Sequence, residues 1–100
     1  EETKETLKIV PAEHHRAISI CHSQVEKHTL FVGYDDGTIR KWKQSKGNFK
    51  SSQKYSTAGT CVIWQVKEID SQFIVSGDST GAVVVWSKRT SNPVKVIKEM

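Results

Sequence analysis

The stretch FVGYDDGTIRKW, residues 31–42, returns 44 residues later as VSGDSTGAVVVW, residues 75–86. The identical positions pair Gly33 with Gly77, Gly37 with Gly81, and Trp42 with Trp86. Apolar positions between them match without a gap, and we expect the same offset upstream, where Ile20 would meet Trp64. Two glycines and a tryptophan at fixed spacing, bracketed by matching apolar alternation, predict an internal structural repeat.

Each copy is expected to fold as four short strands. β-Branched Val, Ile and Thr far outnumber Ala and Leu, and such side chains fit the pleated surface of a sheet. Turn formers separate the apolar runs, and Asp36–Gly37 is a strong hairpin signal because glycine tolerates a positive φ. The predicted strands are 17–23, 29–33, 38–44 and 49–56 in the first copy, and 61–68, 72–77, 82–88 and 93–99 in the second.

This spacing is typical of a β-propeller, in which each blade is a four-stranded antiparallel sheet whose third strand ends on Trp. We therefore predict an all-β fold of about two and a quarter blades. Residues 1–13 form the last strand of a preceding blade with a connector, 14–57 form one blade and 58–100 the next. Because two blades cannot close a ring, we expect a fragment of a larger propeller, and assembly with other chains is the alternative.

Composition and cysteine usage limit the cellular compartments and the kinds of partner that we expect for the protein. Cys21 and Cys61 lie in apolar stretches outside any CxxC pair, so we expect reduced core thiols of an intracellular protein. No apolar run approaches the ~20 residues of a membrane span, and the charged start EETKETLKIV is unlike a secretory signal. The net charge of +4 permits an acidic partner without requiring one.

Candidate catalytic and metal-binding patterns fit turns or connectors better than they fit active sites. His14 and His15 are adjacent and would point to opposite sides of an extended chain, whereas zinc needs about four converging ligands. GDSTG, residues 77–81, has the spacing of a nucleophile elbow, but the apolar run after it predicts a strand rather than a helix. Asp35 and Asp36 lie in a predicted turn without a second acidic cluster. We therefore predict no enzyme, no cofactor, no metal and no small-molecule substrate.

A run of basic residues marks the last two predicted strands of the first copy, and no Asp or Glu occurs between Gly37 and Lys67. The basic residues are Arg40, Lys41, Lys43, Lys46, Lys50 and Lys54. Such a stripe can neutralise the phosphates of a nucleic acid. Lysines on an outer strand also discourage edge-to-edge pairing, or can dock a protein, and these interpretations stay open.

The aromatic residues raise a separate question. Few of them interleave with the basic residues, so we do not expect a platform on which bases stack. Trp64 lies on a predicted innermost strand, where it either packs between blades or meets a partner at the surface.

With these glycines, the Asp-Gly turn and the closing Trp in place, the chain resembles WD40 repeats. The resemblance implies a structural hydrogen-bonded group of His, Ser or Thr, Asp and Trp in a blade. His15, Asp36 and Trp42 fit it in the first copy, where Val32 stands at the hydroxyl position. Ser76 and Trp86 fit it in the second, where Gly59 and Thr80 stand at the His and Asp positions. The resemblance gives Gly37, Gly77 and Gly81 structural roles as well.

Residues 62–86 are in addition similar to a blade of the cirhin-like family of tandem-propeller proteins, through IW, IVSGDSTG and an apolar run to Trp. That resemblance implies a non-catalytic nucleolar scaffold of the small-subunit processome. Such a scaffold works with other proteins on pre-rRNA or a snoRNA-containing particle during 18S rRNA maturation. The alternative is a protein–protein adaptor of WD40 type in another intracellular complex, such as a ubiquitin ligase or a trafficking coat, with a cytoplasmic location.

Overall fold

The computed structural model describes residues 16–57 and 61–98, and every helix or strand element in this part of the chain is a β-strand. The strands are β1 (Ala17–His22), β2 (Thr29–Tyr34), β3 (Thr38–Ser45), β4 (Asn48–Ser56), β5 (Ile63–Glu68), β6 (Phe73–Asp78), β7 (Ala82–Ser87) and β8 (Pro93–Lys98). The eight predicted strands are confirmed, and the largest shift is at the start of β5, predicted at Cys61 and found at Ile63. None of the described residues forms a helix that could cross a membrane.

The strands form two separate antiparallel sheets. Sheet 1 has the order β1-β2-β3-β4 and sheet 2 the order β5-β6-β7-β8. Because strands that follow one another in the chain are neighbours in the sheet, each sheet is a simple meander. The fold is therefore all-β and compatible with β-propeller blades. Sheet 1 lies within 14–57 and sheet 2 within 58–100, whereas the strand predicted in 1–13 lies outside the described residues.

Sheet 2 packs against one side of sheet 1. The core between them contains fully buried Phe31, Ile39 and Tyr55 from sheet 1. It also contains Cys61, which precedes β5, and from sheet 2 it contains Ile63, Val66, Ile74, Ala82, Val84 and Trp86. The Tyr55 ring lies between two others, with centroids 6.4 Å from Phe31 and 5.9 Å from Trp86. Aromatic rings at these separations add specific contacts to the burial of apolar area.

The opposite side of sheet 1 is also buried. Leu30, Val32 and Tyr34 are at most 2% exposed, and Trp42 and Phe49 pack against them. Successive residues of a strand point to opposite sides, so β2 is buried on both of its faces. Its sequence TLFVGY is accordingly a continuous run of largely apolar residues rather than an alternating one.

The close approach of the two sheets depends on Gly33 in β2. A Cβ at this position would lie 2.5 Å from Ile63 Cγ2, 2.9 Å from Ile63 Cβ and 2.6 Å from Ser19 Oγ. The Ser19 hydroxyl itself donates to the Ile63 carbonyl at 3.3 Å. Glycine inside a strand often marks a place where another backbone comes near, and β5 occupies that place here.

The two copies fold as equivalent sheets, but the constant offset expected upstream is wrong. Trp42 pairs with Leu30 and Trp86 with Ile74, which preserves the separation of 44 from β2 and β6 onward. In the first strands His22 pairs with Leu30 and Glu68 with Ile74, so the separation becomes 46. The cause is the β1–β2 connection, residues 23–28, which is longer than the β5–β6 connection, residues 69–72.

The β3–β4 hairpin is longer than its counterpart in sheet 2. β3 and β4 have 8 and 9 residues, whereas β7 and β8 have 6 each. Its two turn residues, Lys46 and Gly47, have φ values of 52° and 84°. Two consecutive positive φ values define a type I′ turn, whose twist matches that of the flanking strands. Sheet 1 therefore carries a longer and tightly turned hairpin at its outer edge.

Candidate functional site

A hydrogen bond between buried side chains fixes β7 to β6 in sheet 2. The Trp86 indole donates to the Ser76 hydroxyl at 2.9 Å, and the two residues are only 1% and 2% exposed. A buried indole N–H and a buried hydroxyl each need a partner, and here they satisfy one another. The structure thus brings together these two residues, which the sequence pattern marked for structural roles.

In sheet 1 a different residue accepts the hydrogen bond from the tryptophan. Val32 stands where sheet 2 has Ser76, and the Trp42 indole donates instead to the Tyr34 hydroxyl at 3.0 Å. Tyr34 follows Val32 by two positions on the same side of β2, so its long side chain can replace the missing hydroxyl. Burial raises the pKa of Tyr34, which keeps this phenol neutral. Tyr34 was not identified from the sequence. The signal that could have pointed to it is a residue with a hydroxyl two positions after Val32.

An aspartate organises the turn after β2 and another the turn after β6. Asp36 Oδ1 accepts hydrogen bonds from the Thr38 N–H at 3.1 Å and the Thr38 hydroxyl at 2.6 Å. In sheet 2 the offset of 44 pointed to Thr80, but the carboxylate comes from Asp78. Its Oδ1 accepts from the Thr80 N–H at 2.9 Å and the Ala82 N–H at 3.3 Å. Burial is the largest influence on the pKa of Asp78 and raises it, but hydrogen bonds from the Thr80 hydroxyl, the Thr80 and Ala82 N–H groups and the Cys61 thiol together bring it below its usual value.

The three glycines to which the sequence pattern gave structural roles occupy two kinds of position. Gly37 and Gly81 occupy turns with φ values of 80° and 87°, a region that favours glycine. Gly77 lies inside β6 without a positive φ, and apart from its own chain neighbours no described atom lies within 4 Å of the place where its Cβ would be. His15 lies outside the described residues, so its structural role stays a prediction.

The six basic residues do not form one surface. Arg40 and Lys54 are cross-strand neighbours on the side of sheet 1 that faces away from sheet 2. The Arg40 guanidinium lies 3.9 Å from the Asp36 carboxylate. Lys41 faces sheet 2, and its ammonium lies 2.9 Å from the Glu26 carboxylate with only 13% of the side chain exposed. Arg40 and Lys41 are therefore ion-paired within the protein.

The remaining three, Lys43, Lys46 and Lys50, gather at the end of the β3–β4 hairpin, and we call them the lysine hairpin. Lys43 and Lys50 stand directly opposite one another across the two strands. The Lys43 side chain is 53% exposed, and Lys46 and Lys50 are exposed as well. Like charges directly opposite destabilise a hairpin, and lysine is not a favoured residue at positive φ. The Lys43 ammonium has the Glu26 carboxylate 3.9 Å away, and Lys46 and Lys50 complete a group of three exposed cations at this end of the hairpin.

A buried ion cluster joins the two sheets beside this region. Lys88 Nζ lies 2.6 Å from Glu68 Oε2 within sheet 2, and the two side chains are 4% and 5% exposed. The same ammonium lies 3.9 Å from Glu26 in the β1–β2 connection, and the Gln24 N–H of that connection donates to Glu68 at 2.8 Å. Burial is the largest influence on the pKa of Glu68 and raises it, but Lys88, the Ser23 hydroxyl and Gln24 together bring it below its usual value.

The residues considered for catalysis have structural partners. The Ser79 hydroxyl accepts from the Val62 N–H at 2.9 Å, and the Ser79 N–H donates to the Val62 carbonyl at 2.9 Å. Strand β7 follows this turn, so the helix required after a nucleophile elbow is replaced by a strand. Cys21 and Cys61 are free thiols. Across residues 16–57 and 61–98, no three His, Cys, Asp or Glu side chains converge as a metal site would require.

Trp64 is exposed, so of its two interpretations the surface position fits these two sheets and packing between them does not. Its side chain sits at a bulge in β5 and is 60% exposed. The equivalent residue in sheet 1 is Ile18, at a bulge in β1 and 39% exposed. A bulge re-aims a side chain out of the regular alternation of a strand. The first strand of each sheet thus presents one large apolar residue to solvent.

Comparison with known proteins does not identify a family for this chain. No family model matches the chain, and a search of curated proteins finds no match either.

Proposed function

We propose that this chain is part of a WD40-type β-propeller that serves as a non-catalytic scaffold in ribosome biogenesis. In this proposal it helps to hold pre-rRNA in the small-subunit processome of the nucleolus, during 18S rRNA maturation. Support for the propeller comes from two four-stranded antiparallel sheets packed together, each with a tryptophan of its third strand bonded to a hydroxyl of its second. Support for this branch of the family comes from the resemblance of residues 62–86.

The lysine hairpin is the observation that carries the RNA contact. Three cations stand at one exposed end of sheet 1, and two of them face one another across the strands. A phosphate backbone would neutralise the charges that stand opposite one another at Lys43 and Lys50, although Lys43 already has the Glu26 carboxylate 3.9 Å away. Each such contact adds salt-dependent affinity without reading the base sequence. The cross-strand repulsion would then be relieved in the complex. A non-catalytic role is proposed because Ser79, Asp35 and Asp36, which were considered for catalysis, serve as turn and backbone partners.

Crosslinking in cells tests the proposal. The tagged full chain is expressed in eukaryotic cells, crosslinked to RNA, and the bound RNA is sequenced. We expect enrichment of precursor 18S sequences, reduced several-fold by the double change Lys46→Glu and Lys50→Glu. Lys43 is left unchanged because its reversal would place a carboxylate beside Glu26, 3.9 Å from its ammonium.

A matched control separates local charge from net charge. Arg16→Glu with Arg89→Glu makes the same change in net charge at two exposed positions outside the lysine hairpin and should leave the RNA yield unchanged. Equal loss in both double variants, or no precursor rRNA bound to the parent chain, would contradict the proposal.

Exposed Trp64 favours a second candidate, a protein–protein adaptor of WD40 type. Large aromatic side chains are frequent anchors of protein interfaces, and this one is 60% exposed. An adaptor should keep its protein partners after nuclease treatment and lose them on Trp64→Ala, with no change on reversal of the lysine hairpin. The processome scaffold should instead lose its ribosomal precursors when nuclease is added.

A further inference from the structure

A cavity of about 480 Å³ opens between the end of β4 and the side of sheet 2 that faces sheet 1. Most of its wall is apolar and comes from β7 and β8, through Ala82, Val84, Trp86, Pro93 and Val96. One charged group, the Asp78 carboxylate, lines it as well. Val96 is 54% exposed, so the cavity is open to solvent beside β8. A largely apolar cavity with a few polar groups is the common form of a binding site.

The Asp78 carboxylate is buried, with 8% of the residue exposed, and has no cation beside it. Its Oδ1 accepts the hydrogen bonds from Thr80 and Ala82, whereas no N–H or O–H group of residues 16–57 and 61–98 donates to Oδ2. The Cys61 thiol, the remaining partner, is only a weak donor. No Lys, Arg or His side chain in this part of the chain lies within ion-pair distance of either oxygen.

A cation is therefore the ligand that this carboxylate lacks. The pKa of Asp78 lies below its usual value, so the group carries its charge at neutral pH. A buried charge is costly unless it is paired, and a cation that entered the cavity would supply the partner. The apolar wall favours a cation that also carries a hydrocarbon chain.

Sheet 1 shows which cation fits the equivalent place. Arg40 in β3 and Val84 in β7 have equivalent positions in the strand register. Tyr34 in β2 and Asp78 in β6 are equivalent in the same way. The Arg40 guanidinium lies over the Tyr34 ring, 5.1 Å from its centroid, and 3.9 Å from the Asp36 carboxylate. Sheet 1 thus fills this place with a guanidinium, whereas sheet 2 has the shorter Val84, a cavity and an unpaired carboxylate.

We infer that this cavity binds an arginine side chain of a partner protein, whose guanidinium donates to Asp78 Oδ2 while its methylene groups lie against Val84 and Val96. Arginine suits the site better than lysine, because a guanidinium is more weakly hydrated than an ammonium and is the preferred cation of buried ion pairs. It also stacks on aromatic rings, and Trp86 forms part of the wall. This inference does not depend on RNA binding.

Titration with blocked amino acids tests the inference. N-acetyl-arginine methylamide is added to the isotope-labelled 100-residue chain, and NMR follows the backbone N–H signals of Thr80 and Ala82, which bond to Asp78. We expect saturable shifts with the arginine derivative. At equal concentration the shifts should be several-fold smaller with the lysine derivative and with the citrulline derivative, which has nearly the same shape but no charge. Equal shifts with all three compounds would overturn the inference.

Three variants separate the site from the rest of sheet 2. Asp78→Asn keeps an oxygen that can accept the hydrogen bonds of the turn but removes the charge, and should reduce the arginine shifts several-fold. Val84→Arg should supply the cation from within the chain, as Arg40 does in sheet 1, and abolish the shifts. Val83→Arg is the matched control, because it adds the same side chain on the opposite side of β7, where Val83 is 37% exposed, and should bind as the parent does.

Parent-like binding by Asp78→Asn, or by folded Val84→Arg, would overturn the inference. Asp78→Asn decides alone if Val84→Arg does not fold.

Discussion

Gly33 and Gly77 are equivalent in register and opposite in surroundings, which makes them a matched pair for mutation. Gly33→Ala places a Cβ 2.9 Å from the Cβ of Ile63, which can move only if β5 moves. We expect a loss of about 1–3 kcal/mol in the free energy of unfolding, the usual range for overpacking. Gly77→Ala has open space and no positive φ, so we expect no loss and a gain of up to about 1 kcal/mol.

Urea unfolding of the two variants beside the parent measures both values. Equal losses from the two substitutions would mean that β5 does not lie against β2 at Gly33. A small loss from Gly33→Ala alone would show that the sheets can separate locally to admit a methyl group.

Individual residues show where sequence reasoning succeeds and where it stops. Trp42 and Trp86 could be placed because an aromatic repeated at fixed spacing beside matching glycines is typical of a structural repeat. Tyr34 and Asp78 were missed as partners, since a hydrogen bond depends on how far a side chain reaches in space. Tyr34 reaches back to the tryptophan by its length, and Asp78 reaches the turn from the end of β6 rather than from within the turn.

Strands were the most predictable level of the structure. β-Branched runs between turn formers placed all eight to within a few residues, because local propensity and burial agree in these segments. Pairing register was less predictable. A bulge shifts β1 against β2 and another shifts β5 against β6, and the unequal loops before β2 and β6 change the offset between copies. A bulge inserts one residue without any distinct sequence signal, so the exposure of Ile18 was not foreseen and that of Trp64 remained one of two alternatives.

The lysine hairpin could not be predicted from the sequence either, because it too depends on how two strands pair. The sequence revealed a basic run without acidic residues, but strand alternation and a bulge between Lys41 and Trp42 divide the run among different sides. Arg40 and Lys54 share one side, whereas Lys43 and Lys50 share the other. A charge run in a strand predicts composition, and only the register tells which charges act together.

At the scale of the whole molecule, the ion cluster that joins the two sheets makes stability depend on pH. The pKa of Glu68 in the folded chain lies below its ordinary value of 4.5, so the unfolded chain takes up the proton first as pH falls. The stabilisation from Glu68 is present above that ordinary value and is lost as pH falls through the lower folded pKa. The free energy of unfolding of the parent should therefore decline with acidification.

Glu68→Gln should be less stable than the parent at neutral pH, because Lys88 loses the carboxylate partner 2.6 Å away. Its stability should also change less with pH in the acidic range. Some decline remains in this variant because the pKa of Asp78 is lowered too. Urea unfolding at a series of pH values measures both effects, and parallel curves for parent and variant would rule out this role for Glu68.

The salt dependence of RNA binding tests the central functional claim most directly. For single-stranded RNA, each phosphate contact contributes roughly 0.7 to the slope of log affinity against log salt concentration. Replacement of Lys43, Lys46 and Lys50 by Gln should therefore reduce the slope by about 2 and weaken binding uniformly across RNA sequences. If parent and triple variant bind with the same affinity and the same slope, the lysine hairpin does not contact RNA and the proposed scaffold role on pre-rRNA loses its structural basis.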